Sequence, residues 1–446
     1  MIFTEQTIAA VATAPGGAIC IIRLSGPNAL DIADRVFKKT NGEKLCNAKG
    51  YSVHFGNIMI NNEVLDNALA TVFRAPHSYT GEDSVEFSCH GSQYIANKTL
   101  EVLIANGATS AAKGEFTKRA FLNGKLDLSQ AEAVADLIAS DSKAYHRIAM
   151  NQMKGNYSEG INNLREQLVE LAALLELELD FSDEDVEFAD RSRLLSIIQH
   201  LDNEINSMCI SFKTGNAIKE GIPVAIIGEP NVGKSTLLNT LVEEQRAIVS
   251  DIAGTTRDTI EEIVLINGVK FRFIDTAGIR NSSDIIESLG IERSRKAIER
   301  AEIILAVCEG DKLNLPKELD FKDKRVIVVF NKRDIYGIHK TDYDGEYVYI
   351  SAKENIGISE LKELISSCYQ FESEQDLTVA NSRHYEVLQH SAAELKIARD
   401  ALTDGLSSDL IVEHIRAIIN YLGEITGQIT SNEILESIFS KFCIGK

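Results

Sequence analysis

Five short segments whose residue types suit phosphate and purine chemistry follow one another along the chain: GEPNVGKS, GTTRD, DTAG, NKRD and SAK. The first, residues 228–235, matches G-x-x-x-x-G-K-[ST] between an apolar strand-like run, 223–227, and a helix-like stretch, 236–241. Its glycines let backbone N–H groups turn inward, where they and the dipole of the following helix bind phosphate oxygens. Lys234 is predicted to reach the β- and γ-phosphates and Ser235 to ligate Mg²⁺. A glycine turn that matches by chance is the alternative, and the four later segments argue against it.

The second and third segments supply groups for the metal ion and the terminal phosphate. Asp275 follows the strand-like stretch 269–274 and is placed to hold Mg²⁺ through a water molecule, while the Gly278 N–H meets the γ-phosphate. The alternative is that Asp275 is an ordinary aspartate at the end of a strand, with no role in metal binding. The GTTRD segment is polar and has no periodicity, so we predict a loop in which a hydroxyl of Thr255 or Thr256 completes the Mg²⁺ shell only when a γ-phosphate is present. Such a loop would act as a switch.

The last two segments select the base. A carboxylate at Asp334 can accept hydrogen bonds from both the ring N–H and the amino group of guanine, a donor pair that adenine lacks, so the site is predicted to prefer guanine. The stem of Lys332 would lie along the base, and SAK, after the strand-like residues 347–350, would supply an N–H to the guanine carbonyl. The order of the five segments predicts a Ras-like GTPase domain. The hairpin signal Asn267-Gly268 supports it, because that fold has one antiparallel strand pair there.

One position departs from Ras-type GTPases. After D-x-x-G those enzymes have a glutamine that orients the attacking water, whereas this chain has Ile279, which neither donates nor accepts a hydrogen bond. Arg257, Arg280 and Glu287 are candidates for the missing role, and each could equally be a solvated side chain. Asn231 offers an amide oxygen for a monovalent cation beside the phosphates. A potassium ion there would neutralise the charge that develops in the transition state.

Composition sets limits on the class of protein. The chain has 446 residues, 44% hydrophobic and 25% charged, which predicts two to four globular domains. It lacks a run of eighteen apolar residues and a signal-peptide pattern, so neither a membrane span nor secretion is predicted. Seven scattered cysteines without a C-x-x-C pair indicate reduced thiols of a cytoplasmic protein. Because the net charge is −20, RNA contact must be local or shared with a partner.

Hydrophobic patterns predict the domain organisation. Residues 1–120 mix strand-like runs with two helical stretches, which indicates a compact α+β domain. Residues 121–215 and 374–446 carry apolar residues at spacings of three and four, the pattern of amphipathic helices. Neither helical segment can bury its apolar stripe alone. We therefore predict that the two form one helical domain, into which the GTPase domain, residues 216–373, is inserted.

Several longer pieces carry a family resemblance. GTTRD and DTAGIR, the N-terminal SYTGED and KGEFTKRAFLNGKLDLSQAEAVADLI, and the terminal FCIGK together resemble the tRNA modification GTPase family MnmE, also called TrmE, along essentially the whole chain. The resemblance implies a multidomain α/β and α protein with an N-terminal α+β folate-binding-like domain, a helical domain and an inserted Ras-like P-loop GTPase domain. It implies a cytoplasmic bacterial or organellar enzyme.

The same resemblance implies an activity and its participants. The enzyme would be a potassium-stimulated GTP hydrolase that adds an aminomethyl or carboxymethylaminomethyl group to C5 of the wobble uridine (U34) of certain tRNAs. A reduced folate, 5,10-methylene- or 5-formyl-tetrahydrofolate, would supply the one-carbon unit. Its partners would be a second copy of the chain, joined through the N-terminal domain, and an FAD-dependent MnmG/GidA-like protein, which together form a heterotetramer.

The resemblance also assigns roles in the GTPase domain. Glu287 would orient the catalytic water, and Asn231 would act with it in catalysis as a potassium ligand. The other potassium ligands would be Ser250, Ile252 and Thr255, and the magnesium ligands Ser235 and Thr256. The predicted GTP-binding residues are Asn231, Val232, Gly233, Lys234, Ser235, Thr236, Ser250, Asp251, Ile252, Ala253, Gly254, Thr255, Thr256, Asp275, Thr276, Ala277, Gly278, Asn331, Lys332, Asp334, Ser351, Ala352 and Lys353.

Outside the GTPase domain, the positions that match folate-binding residues of the family are Arg23, Glu82, Lys125 and Lys446. Their chemistry is suitable, because a pterin edge offers N–H donors to a carboxylate and a glutamate tail suits Arg or Lys. Without the resemblance each would be an ordinary surface charge. Cys443 is fourth from the end, but the final residues do not suit a prenylation signal. Its thiol is either reactive or merely structural.

A hypothesis of another class keeps the same nucleotide pocket. In it the chain is a regulatory GTPase switch for ribosome assembly or membrane events, and no RNA chemistry follows. A pure switch has no reason to bind a reduced folate, so folate binding separates the two hypotheses.

Overall fold

The protein is described by a computed structural model that covers residues 6–14, 16–180, 191–246, 261–274, 295–310, 321, 324–338, 341, 343–367 and 377–446. Contacts divide the chain into two compact units. The first contains residues up to 139 together with 149–199 and 393–446, and the second contains 140–148 and 200–392. The chain therefore enters the second unit twice, briefly at residues 140–148 and then for residues 200–392, before it returns to the first unit.

The regular elements are named here in chain order. The strands are β1 (Ile8–Val11), β2 (Ile19–Ser25), β3 (Phe37–Lys39), β4 (Ser52–Ile60), β5 (Glu63–Phe73), β6 (Ser84–His90), β7 (Thr109–Ser110), β8 (Ile222–Ile227), β9 (Glu262–Ile266), β10 (Val269–Phe273), β11 (Ile303–Glu309), β12 (Arg325–Asn331) and β13 (Glu346–Tyr349).

The helices are α1 (Ala29–Val36), α2 (Gln93–Ala105), α3 (Glu115–Leu122), α4 (Leu128–Ala139), α5 (Lys143–Lys154), α6 (Asn156–Asp180), α7 (Arg191–Glu220), α8 (Lys234–Arg246), α9 (Arg333–Tyr336), α10 (Ile358–Ser367), α11 (Ser382–Thr403), α12 (Ser408–Thr426) and α13 (Asn432–Phe439). Residues 295–300 are also helical. Among the helices in the described ranges, none combines the length and apolar character needed to cross a membrane.

The first unit opens with a seven-stranded sheet in the order β3-β4-β5-β6-β2-β1-β7, in which only β1 and β7 pair in parallel. The alternation of β2 shows how its faces differ. Ile22 and Leu24 are buried in a cluster with Ala33 of α1 and Leu103 of α2, so these helices cover one face. Arg23, between them in sequence, points to the opposite face. The sequence predicts strands at 18–24, 51–60, 64–73 and 84–89, and each is correct to within one residue at either end.

Two apolar stripes that are far apart in sequence are buried where α6 packs along α12. A hydrogen-bonded ion pair between Glu176 and Arg416, 2.7 Å apart, lies at the edge of this contact. The helical part of the first unit is therefore built from segments that precede and follow residues 200–392 in sequence. The stripe residues, all at most 2% exposed, are Ile161, Leu164, Leu168, Leu171 and Leu175 of α6, and Ile411, Ile415, Ile418, Leu422 and Ile425 of α12.

The start of α13 differs from the sequence prediction. Thr430 and Glu433 predict a capping box with Thr430 as the N-cap and a helix over 434–442. In the structure the N-cap is Ser431, whose hydroxyl accepts a hydrogen bond from the Ile434 N–H at 3.3 Å. Glu433 thus occupies the second helical position, whereas a capping box requires the third, so the predicted box was wrong.

The second unit contains a six-stranded sheet in the order β13-β12-β11-β8-β10-β9, parallel except for β9. Its central strands are buried on both faces, since Val224 and Ile226 of β8 join one core cluster while Ala225 and Ile227 join another. The hairpin between β9 and β10 turns at Asn267-Gly268, both with positive φ (+52° and +80°), as predicted. These features confirm the predicted fold class, with a P-loop sheet inserted into an α+β and helical protein.

The polypeptide enters and leaves the inserted region at one place. Gly215 of α7 packs against the backbone of Val379, where a Cβ would lie 2.1 Å from the carbonyl oxygen. The Val379 N–H donates to the Ser211 hydroxyl at 3.1 Å. The rings of Phe212 and Tyr385 stack with centroids 4.1 Å apart. Because the two connections lie side by side, an inserted domain needs no long linker here.

A buried ion pair joins the inserted sheet to the start of α5. The Lys270 ammonium of β10, on a side chain only 9% exposed, lies 2.7 Å from the Asp141 carboxylate, which is 44% exposed. It also donates to the Lys219 carbonyl at 3.2 Å and lies 5.7 Å from the centre of the Tyr145 ring. The partners are unequal, because water can solvate the aspartate but not the lysine.

We expect Asp141→Asn to destabilise this region by about 1–3 kcal/mol, because it leaves a buried cation without its counter-charge. Lys270→Met should cost less, since the remaining aspartate is hydrated and the methionine retains the apolar stem. Hydrogen exchange of the β9–β10 backbone, followed by mass spectrometry, measures both. The double variant should be no less stable than Asp141→Asn alone, and equal losses from the two single variants would contradict this account.

Candidate nucleotide-binding site

The G-x-x-x-x-G-K-[ST] segment forms the loop between β8 and α8, the context that the sequence predicts. Gly228 and Gly233 have φ of +147° and +97°, and Asn231 has +65°. A Cβ on Gly228 would lie 2.2 Å from the carbonyl oxygen of Val307, and one on Gly233 would lie 2.2 Å from Nδ2 of Asn331. Both backbone angle and space therefore require glycine at these two positions. The loop wraps tightly, and its shape suits a phosphate cradle.

The lysine of this loop lies against the loop's own backbone. Its Nζ donates to the carbonyls of Gly228 at 2.8 Å and Glu229 at 2.7 Å. Burial lowers the pKa of Lys234, and the charge of Glu229 opposes that shift. A partly desolvated ammonium whose hydrogen bonds within the described residues go to two neutral carbonyls is suited to an anionic partner, because phosphate oxygens would restore the favourable interactions that it loses on leaving water.

Asn331 links two loops that are distant in sequence. Its side chain is buried; Nδ2 donates to the Val232 carbonyl at 2.8 Å and Oδ1 accepts from the Ala352 N–H at 3.0 Å. The Thr240 hydroxyl of α8 adds a bond to the Ala352 carbonyl at 2.8 Å. The carboxamide thus holds the P-loop against the SAK loop through one donor and one acceptor hydrogen bond.

The aspartate of NKRD is oriented by the serine of SAK. The Ser351 hydroxyl donates to Oδ1 of Asp334 at 2.6 Å and accepts from the Glu354 N–H at 3.2 Å. Lys332, with φ +64°, lies 3.0 Å from the Glu309 carboxylate. Because Asp334 lies in the first turn of α9 and one of its oxygens is fixed, its carboxylate has a set direction in which to meet a base.

The structure therefore brings together the predicted site residues on the loops after β8, β12 and β13. Ser235 and Thr236 lie in the first turn of α8, and the Lys353 side chain is 80% exposed. The remaining predicted residues lie outside the described ranges: Ser250, Asp251, Ile252, Ala253, Gly254, Thr255, Thr256, Arg257, Asp275, Thr276, Ala277, Gly278, Ile279, Arg280 and Glu287.

A second predicted group, in the first unit, gathers around the loop between β5 and β6. The Arg23 guanidinium lies 5.4 Å from the centre of the Tyr79 ring of this loop. It binds the Glu86 carboxylate at 2.8 Å and donates to the Gly445 carbonyl at 3.4 Å, so the residue before Lys446 lies beside it.

Lys125 packs against the same loop. Its stem carbons lie 3.4 Å from the position of a Cβ on Gly81, and its ammonium donates to the Pro76 carbonyl at 2.9 Å. Glu82 follows Gly81 directly and is bound by Arg119 at 3.1 Å. All four predicted folate residues are thus on or next to one loop and the C-terminal tail.

Sequence reasoning missed Arg119, Tyr79 and Glu86 as neighbours of this group. Arg119 and Glu115 have the spacing of an ordinary ion pair on one helix turn, so the sequence gives no sign that the arginine also reaches Glu82. Only the packing of α3 against the loop reveals it.

The C-terminal tail is anchored, and its thiol is exposed. Ile444 forms an isolated β-bridge with Lys113, and the Gly114 N–H donates to the Cys443 carbonyl at 3.4 Å. Gly445 has φ +92°, and a Cβ there would lie 2.4 Å from the Val11 carbonyl oxygen. By contrast, burial raises the pKa of the Cys89 thiol to about 12, which makes that cysteine a poor nucleophile.

Comparison with known proteins gives matches along the whole chain. Residues 7–125 match the family model described as GTP-binding protein TrmE N-terminus, and residues 128–443 match the MnmE helical domain. The tRNA modification GTPase MnmE of Bacteroides thetaiotaomicron is 48% identical over 463 residues, covering 99% of this chain and 100% of that protein. That of Parabacteroides distasonis is 47% identical over 465 residues, with the same coverage. Among solved structures, the G domain of the T. maritima FeoB iron transporter aligns with 33% of this chain and 99% of its own at 24% identity and a TM-score of 0.26.

We expect Asn331→Ala to weaken binding of a non-hydrolysable GTP analogue by roughly ten- to hundredfold, because it leaves a buried carbonyl and a buried N–H unpaired at about 1–3 kcal/mol. Hydrogen exchange of residues 228–235 without nucleotide should rise in the same variant. Glu360→Gln, at an exposed position of α10, is the matched control. Weaker binding without faster exchange of the P-loop would mean that Asn331 does not hold the loop.

Proposed function

The chain belongs to the tRNA modification GTPase family MnmE, and from that membership we propose that it couples GTP hydrolysis to modification at C5 of the wobble uridine, U34, in certain tRNAs. GTP hydrolysis and a part in tRNA modification follow from the family. The position on the base and the added aminomethyl or carboxymethylaminomethyl group are the proposal.

The observation that carries the nucleotide site is the hydrogen-bonded connection from the P-loop through Asn331 to the SAK loop, whose Ser351 orients Asp334. In the proposed site the P-loop amides and Lys234 bind the phosphates and Asp334 binds the amino and ring N–H edge of guanine. Mg²⁺, when bound to Ser235 and Thr256, would neutralise phosphate charge. The tight glycine cradle and the desolvated ammonium of Lys234 support this assignment.

We propose that Asn231 supplies a side-chain ligand for K⁺, with Ser250, Ile252 and Thr255 completing the set. When bound, K⁺ would offset charge that develops between the phosphates. Glu287 would orient the attacking water, a role that Ile279 cannot fill. These assignments rest on the family resemblance.

For the first unit we propose binding of a reduced folate, 5,10-methylene- or 5-formyl-tetrahydrofolate, by Arg23, Glu82, Lys125 and Lys446. The gathering of cations and one carboxylate around a single loop and the C-terminal tail supports it. A folate has matching ends, an N–H-bearing pterin and an anionic glutamate tail. The exposed Cys443 is near this group in sequence and is a candidate reactive thiol.

We further propose a homodimer formed through the N-terminal domain, a heterotetramer with an FAD-dependent MnmG/GidA-like protein, tRNA as substrate, and a cytoplasmic location. The exposed face of the first sheet supports self-association: Phe55 and Leu69 are cross-strand partners, 54% and 43% exposed, beside Val53 at 58%. The proposed domain boundaries remain residues 1–120, 121–215, 216–373 and 374–446.

The decisive experiment is mass analysis of U34 in tRNA from cells that lack this gene. We expect loss of the C5 substituent, with recovery when the wild-type gene is returned and no recovery with Lys234→Ala. Unchanged U34 in the deletion strain would refute the proposal and favour a regulatory switch in ribosome assembly or membrane events without RNA chemistry.

The potassium proposal predicts that replacing KCl with NaCl at equal ionic strength lowers GTP turnover by about tenfold or more, because an arginine finger that offsets charge in the same place is worth ~10³ or more in rate. Asn231→Ala should remove the difference between the two salts. Steady-state phosphate release measures both. Equal rates of the wild type in the two salts would rule out a catalytic potassium ion.

A further inference from the structure

Arg119 of α3 is the buried cation of the first unit's polar cluster. Its side chain is 6% exposed, and Nη1 lies 3.1 and 3.2 Å from the two carboxylate oxygens of Glu82. Nη1 also donates to the Gln6 carbonyl at 2.9 Å, and Nη2 donates to Glu115 at 2.9 Å. The guanidinium is therefore fixed from three parts of the chain, and Glu82 is held by a group that cannot move away.

This arrangement is not what maximum stability would favour. The Nε of Arg119 is buried and has no hydrogen-bond partner among the described residues. A buried ion pair with an unsatisfied donor commonly adds little to stability compared with an apolar replacement. The free-energy cost of burying this ion pair is explained if the direction of the Glu82 carboxylate matters for ligand binding.

Glu82 retains the capacity to bind a ligand. A carboxylate has about four acceptor positions. Among the described residues, Arg119 takes one position on each oxygen and the Ser25 hydroxyl takes another on Oε2, at 2.8 Å, so these contacts leave one position on Oε1. The Glu82 side chain is 21% exposed, so a ligand can approach it from solvent.

A second acceptor position becomes available if Ser25 turns. Its hydroxyl oxygen accepts from the Ser84 hydroxyl at 3.0 Å and lies 2.7 Å from the Thr80 hydroxyl, where either oxygen can be the donor, so rotation lets Ser25 donate to Thr80 without moving the backbone. Arg119 has no such alternative. Glu82 therefore has one open acceptor position on Oε1 and one on Oε2 that Ser25 can release. These two positions match the two adjacent donors of a pterin, its ring N–H and its amino group.

We propose that Arg119 is a positioning residue that orients Glu82 toward the ring N–H and amino edge of a reduced pterin, with Ser25 as the donor that yields to the ligand. This inference rests on the proposed folate site. Arg119 does not touch the ligand, so its effect should appear at the pterin end of a folate and not at the glutamate end.

The test compares two ligands on the full-length protein by calorimetry: 5-formyl-tetrahydrofolate and its analogue in which the 2-amino group is replaced by methyl. For wild type we expect about tenfold or greater preference for the natural ligand. Arg119→Lys keeps the charge but not the two-oxygen contact, and should weaken the natural ligand about tenfold while reducing its preference over the analogue to about twofold. Glu115→Gln, which changes the other carboxylate on Arg119, should retain the wild-type preference.

Each outcome decides a different question. If wild type binds neither ligand, the folate proposal itself fails. If wild type binds and Arg119→Lys keeps the full preference, Arg119 does not position Glu82. If Arg119→Lys does not fold, as judged by circular dichroism, Ser25→Ala decides: the inference expects binding of the natural ligand equal to or tighter than wild type, and weaker binding would overturn it.

Discussion

The buried carboxamide of Asn331 is the contact on which the nucleotide site depends. It pairs with the Val232 carbonyl on one side and the Ala352 N–H on the other, two groups 120 residues apart in sequence. Parallel strands end at the same edge of a sheet, so β8, β12 and β13 deliver three loops to one place. Proximity alone would leave those loops free to move relative to one another. The carboxamide fixes the loops relative to one another, and the hydrogen bond from the Ser351 hydroxyl then orients the Asp334 carboxylate.

The polar cluster of the first unit follows a different design. Its charged groups are paired with one another, Arg23 with Glu86 and Glu82 with Arg119, before any ligand enters. Such pairing keeps half-buried charges from being isolated. A pterin edge would therefore meet one open acceptor position on Glu82 and would have to replace the Ser25 hydroxyl to reach a second. A site that holds both cations and carboxylates favours a ligand with anionic groups and N–H donors, which is the chemistry proposed here for a folate.

The helical part of the first unit makes the two ends of the chain interdependent. The stripe of α6 is buried along α12, which is formed only after the whole insert has been synthesised. The tail beyond α13 then lies beside β1, where Gly445 fits a space that no side chain could share. Through the Gly445 carbonyl that tail also contacts Arg23. The C-terminus is therefore part of the N-terminal cluster, although more than 400 residues separate them (Arg23 and Gly445 differ by 422 positions).

Local sequence determined the features that depend on near neighbours. The strand–loop–helix context of the P-loop, the Asn267-Gly268 turn and the alternation of β2 all follow from glycine geometry and side-chain periodicity, and the structure has each of them. The N-cap of α13 was missed by one residue because Thr430 and Ser431 are both favourable cap residues, and only the packed chain selects one. The meeting of Glu82 with Arg119 and the scaffold role of Asn331 could not be predicted from sequence. Hydrogen bonds between distant segments produce no periodic pattern in the sequence. They form only when the fold brings donor and acceptor within about 3 Å.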